Sequence, residues 1–143
     1  MALLDLFDSK NKKERLSHIR NLIMVASSDG EITGEELDLI FRIGNKVGIT
    51  PREIKRILAR PESIRFTPPA STLERVEQMS EIVVLMMIDG EIHDNELRLC
   101  KLLAEALGFR QSIIPLMIND VVDMIAKGLA IEYIRRKLEE EYS

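Results

Sequence analysis

Ser27–Leu37, "SSDGEITGEEL", and Met87–Leu97, "MIDGEIHDNEL", are two versions of one phrase. Each reads Asp-Gly-Glu-Ile, three variable residues, then Glu-Leu, and the second follows the first by sixty positions. The same offset aligns residues 14–49 with 74–109. It pairs Glu14 with Glu74, Arg15 with Arg75, Leu39 with Leu99 and Gly48 with Gly108. A repeat of this length is one supersecondary unit written twice. Here the unit is a helical hairpin, because apolar residues recur at helical spacing on both sides of the phrase. Two such hairpins are expected to pack as a pseudo-two-fold bundle, the long apolar helices against each other.

Helical periodicity runs through nearly the whole chain, so the fold class is all-α, with about seven helices and a short extra turn at residues 2–7. The expected inward faces are Leu16, Ile19, Ile23 and Ala26, then Leu37, Ile40, Phe41, Gly44 and Val47, then Ile54, Ile57 and Leu58. Thr50, Pro51 and Glu53 spell a capping box with proline at the first helical position, and Ser71 with Glu74 spells another. The proline-rich segment 61–70 is the linker between the copies. The helix ending in "IVVLMMI" is apolar nearly all round, which places it at the centre. Leu97, Cys100, Leu103, Ala104 and Leu107 form a further face. Pro115 falls in the first turn of the next helix, where a missing N–H costs little. The last helix carries only Ile131, Ile134 and Leu138 and is expected at the periphery.

The 143 residues fit one domain, residues 1–143, and its 45% apolar and 31% charged content is that of a globular chain. A formal charge of -4 argues against nucleic acid as the partner. No apolar run approaches the roughly 20 residues that span a bilayer, and no leader peptide is legible, so membrane insertion is not expected and the location is cytoplasmic. The single cysteine, Cys100, aligns with Ile40 and reads as a core residue. His18 aligns with Gln78 and His93 with Thr33, so neither histidine belongs to the repeated pattern. No phosphate loop, nucleophile with a histidine partner or zinc-protease motif is present, and the chain reads as non-enzymatic.

Much of the phrase is the mechanics of a corner. Gly30 suits the turn after a helix C-terminus, Thr33 an N-cap with Glu36 as its reciprocal partner, and Ile32 with Leu37 a hydrophobic staple. Asp29 and Asp89, with Glu31 and Glu91, are left over. A carboxylate at a helix C-terminus meets the negative end of the macrodipole, at a cost of about 0.3–1 kcal/mol when exposed. Clustered carboxylates repel unless solvated, protonated or neutralised, and oxygen-rich clusters suit Ca²⁺, Mg²⁺ or Mn²⁺. An EF-hand does not fit: with Gly30 at its sixth position, the first and third become Val25 and Ser27, or Leu85 and Met87 in the second copy.

Two corners of the form Asp-Gly-Glu-Ile-x-x-x-Glu-Leu, each trailed by Gly48 or Gly108, resemble the tellurite-resistance TerB-like family. They also resemble the TerB-like accessory domain of DnaJ-type co-chaperones. The resemblance covers roughly residues 14–125 and implies a helical bundle with an acidic divalent-cation site and a role in bacterial stress or tellurite resistance. Carried over by position, the metal-site residues are Asp29, Glu31, Glu36, Asp89, Glu91 and Glu96. Met86, Met87 and Ile88 depart from the small residues the family places before its Asp-Gly, and no His-Pro-Asp tripeptide accompanies a J-domain. Two readings stay open: a cation site, or a metal-free module for an unidentified protein partner whose acids are caps or a docking patch. The sequence does not decide whether the two corners lie together.

Overall fold

The structure, a computed structural model, describes residues 2–142, with side chains from residue 11 onward. Seven α-helices follow in order: α1 (Ala2–Ala26), α2 (Gly34–Val47), α3 (Pro51–Ala59), α4 (Thr72–Met87), α5 (Asp94–Ala106), α6 (Ile114–Ala126) and α7 (Ile131–Tyr142). A single 3₁₀ turn, Pro61–Ser63, lies in the linker, and no strand occurs among the described residues. The extra turn expected at residues 2–7 is the beginning of one continuous helix, α1.

Local chemistry sets most of the boundaries. Thr33 and Thr50 both close reciprocal capping boxes, with Glu36 and Glu53 respectively, and Pro51 occupies the first turn of α3. The box expected at Ser71 is half formed: the Ser71 hydroxyl accepts from Glu74 N, and no bond returns from the Glu74 carboxylate. Pro115 stands at the start of α6, as its missing N–H requires. The linker is pinned to α1, since Thr67 N donates to Ser17 Oγ at 2.8 Å.

Helix α4 is the centre of the bundle, packed against α1, α5, α6 and α7. Every residue from Gln78 to Met86 is buried, and from Ile82 to Met86 the sequence is accordingly apolar on all sides. Helix α1 packs on α2 and α3, and α4 packs on α5 and α6. Helix α7 has no counterpart in the first copy and makes the most extensive contact with α4, so it is less peripheral than its narrow stripe implied. Ile134 and Leu138 are fully buried there. The inward face of α2 is also turned from its expected position. Leu39 and Ile43 join Ile40 and Gly44 in the core, while Leu37, Phe41 and Val47 are half-buried, because α1 and α3 flank this helix on two sides.

One polar array crosses the apolar interface. His18 Nε2 on α1 donates to Glu81 Oε1 on α4 at 2.8 Å, and Lys46 Nζ on α2 reaches Glu81 Oε2 at 2.6 Å. Lys46 and Arg135 of α7 also reach Glu77. Burial alone would raise the Glu81 pKa, but the bonds from His18 and Lys46 outweigh it and hold the carboxyl below its usual range. A carboxylate whose pKa is depressed by folding adds stability above its unfolded pKa and loses it as pH falls through the folded one. Glu81→Gln is therefore expected to lower stability at pH 7 by about 1–3 kcal/mol. The loss should shrink as pH drops below about 4.5, to be read from urea melts of both proteins across pH 3–7.

Candidate metal centre

The corner after α1 is closed by side chains as well as backbone. Ser27 Oγ donates to Ile23 O and Ser28 Oγ to Val25 O, both at 2.8 Å, each a second donor to a carbonyl that already accepts the same serine's backbone N–H. Gly30 then turns the chain at φ +114°. The corner after α4 lacks those serines yet makes the same turn: Gly90 N bonds Met87 O at 3.0 Å as Gly30 N bonds Ser27 O. The bulk of Met86, Met87 and Ile88 does not distort it, because Met86 points into the core and the other two are half-buried against it.

Packing of α1 against α4 brings the two corners together. One ligand atom each from Asp29, His93 and Glu96 lies within 4.8 Å of the others. His93 Nε2 is 3.7 Å from Asp29 Oδ2, 3.3 Å from Asp89 Oδ2 and 3.7 Å from Glu96 Oε1. Of the six acids expected at a metal site, Asp29 and Glu96 thus belong to the converging group. Asp89 adjoins it through His93, while its Oδ1 accepts Glu91 N. Glu36 is buried nearby and engaged as a cap, its Oε1 accepting Thr33 N at 2.9 Å. Glu31 and Glu91 are exposed and lie outside the group.

His93 is the residue that the repeat comparison passed over. It stands where the first copy has Thr33, and the substitution rewires the corner. Thr33 bonds Glu36 in both directions, but His93 makes no side-chain cap. Glu96 therefore has no reciprocal cap bond, and its Oε2 is buried without a partner although the residue is only 1% exposed. The sequence signal was available: a glutamate at a capping-box position behind a residue that cannot complete the box.

The electrostatics follow from this arrangement. Burial, together with the carboxylates of Glu36, Asp29 and Asp89, pushes the Glu96 carboxyl up to about 7, with His93 opposing. The hydrogen bond to Asp89, helped by Glu96 and Asp29, raises the His93 imidazole above its ordinary value against partial desolvation. Such a group can hold a metal ion. Ligand atoms at about 2.0–2.2 Å from one ion stand roughly 3–4 Å apart, which is the spacing of His93 to its carboxylates. The orphaned Glu96 oxygen is the kind of buried acceptor that an ion satisfies. Cys100, by contrast, offers no ligand: it is fully buried, and desolvation pushes its thiol up to about 12.

Two substitutions test this reading of Glu96. An acid whose pKa is raised by folding destabilises the ionised protein, and the penalty grows as pH rises from about 4.5 to about 7. Glu96→Gln is expected to raise Tm in chelator at pH 8 by roughly 2–4 °C, with a smaller gain at pH 5. His93→Thr should restore the missing box and add about 1 kcal/mol in chelator, measured by the same melts. A fall in Tm for both variants would show that Glu96 has a partner these contacts omit.

Comparison of the chain with protein-family models, with curated proteins and with solved structures found no match.

Proposed function

We propose that this chain is a non-enzymatic, TerB-like helical domain that holds one divalent cation between its two Asp-Gly-Glu-Ile corners. The observation that carries the reading is the convergence of Asp29, His93 and Glu96 from two separate corners, with a buried Glu96 oxygen left without a partner. Asp89 supplies a further carboxylate beside His93. An imidazole among carboxylates favours Mn²⁺ or Zn²⁺ over Ca²⁺ or Mg²⁺, since the latter prefer all-oxygen shells. The ion would neutralise like charges at two helix C-termini and tie α1 and α4 together at that end. Its role would be to set stability and the shape offered to a protein partner, in a cytoplasmic stress or tellurite-resistance setting as the resemblance implies.

The second reading, a metal-free interaction module, draws on the first corner. There Glu36 is spent on its capping box, and the exposed Glu31 and Glu91 would serve as docking charges. Neither point accounts for the orphaned Glu96.

The test is thermal unfolding with Mn²⁺, Zn²⁺, Ca²⁺ or Mg²⁺ added after chelator treatment. At a hundredfold over its Kd, the fitting ion should stabilise the wild type by about 2.7 kcal/mol. The Asp29→Asn/Glu96→Gln variant should not respond. If no ion moves the wild type, or the variant responds equally, the site is not a cation site and the module reading replaces it.

A further inference from the structure

A cavity away from the acidic corners is lined by Thr72 and Arg75 of α4, by Gly108–Arg110 and Ile113 after α5, and by Tyr142 of α7. Its volume is about 410 Å³, within the roughly 300–1,000 Å³ usual for small-molecule sites. Two arginines line it, and no carboxylate lies within ion-pair distance of Arg75 or Arg110 among the described residues. In a chain with more acids than bases, two unpaired arginines on one cavity form an arrangement that a solvated surface does not require.

Arg75 is held in place. Its Nε donates to Pro69 O at 2.7 Å, which fixes the plane of the guanidinium and leaves its terminal nitrogens for another acceptor. Gly108 makes room for it: a Cβ there would stand 2.7 Å from Arg75 Nη1, and the backbone φ of +98° also disfavours any side chain. The bond to Pro69 accounts for a structural use of Arg75. It does not account for Arg110, nor for the Thr72 hydroxyl on the same cavity, for which no partner is found among the described residues. Leu107, Phe109 and Ile113 supply apolar wall. The Tyr142 hydroxyl is already spent, donating to Asp120 Oδ2 at 2.6 Å, so its ring serves as wall as well.

We propose that this cavity binds a small phosphate dianion, free or as the end of an organic monoester, with Arg75 and Arg110 on its oxygens and the Thr72 hydroxyl as a further donor. Two cations, one of them held by Pro69 O, match a dianion better than a monocarboxylate, and the guanidinium fork fits phosphate geometry. The apolar wall would receive the organic part of an ester.

Calorimetric titration tests the site, with chelator present so that no metal at the acidic corners can bridge the anion. The probes are phenyl phosphate, inorganic phosphate and benzoate at matched ionic strength. Phenyl phosphate should bind saturably. Arg110→Gln, which alters an exposed side chain, should weaken it by roughly tenfold or more, and Thr72→Val by a smaller factor. Tighter binding of phenyl phosphate than of inorganic phosphate identifies a monoester as the ligand, and equal binding identifies free phosphate. Absence of saturable binding by either phosphate overturns the proposal. So does equal affinity for wild type and Arg110→Gln, which would mark an adventitious ion only, or benzoate binding as tightly as phenyl phosphate.

Discussion

The packing of α1 along α4 carries two helix C-termini to the same end of the bundle, each followed within three residues by an aspartate. The negative ends of two macrodipoles and several carboxylates then share one small region. This arrangement is unfavourable as it stands, and the rest of the corner is organised around relieving it. Serine hydroxyls cap the first helix end, His93 sits between Asp29, Asp89 and Glu96, and the Glu96 carboxyl is driven toward its neutral form. A divalent cation would relieve the same repulsion more completely than any of these.

The corners meet because the helix pair is fixed elsewhere. Apolar burial along α4 supplies most of the attraction, but apolar surfaces slide and rotate at little cost. The bond from His18 to Glu81 and that from Lys46 to the other oxygen of Glu81 cannot slide without leaving a buried carboxylate unpaired. The polar array in the middle of the interface therefore sets the register that brings Asp29 beside His93. Fold and site are coupled through a single buried carboxylate.

Much of the fold was legible from local chemistry. Helix number, the boxes at Thr33 and Thr50, Pro115 at the start of α6 and the core placement of Cys100 all depend on neighbours within four residues, which a sequence displays directly. The place of α7 and the inward face of α2 depend on which helices flank them, which it does not. The candidate site was legible only in part. Asp29 and Glu96 could be found because the repeat marks them. His93 was missed because comparing the copies discards whatever differs between them, and here the difference carries the chemistry: replacing Thr33 by its counterpart His93 turns a capping glutamate into an orphaned one. That the corners are neighbours depended on the relative direction of α1 and α4, and no residue spacing encodes it.

In the proposed function both corners contribute to one cation site. The most direct measurement is paramagnetic broadening of backbone amide resonances by substoichiometric Mn²⁺, followed at Gly30 and Gly90. A shared site requires both signals to broaden together, at the same Mn²⁺ concentration, and to recover together on chelation. Broadening confined to one corner, or spread evenly over all exposed acids, would contradict it.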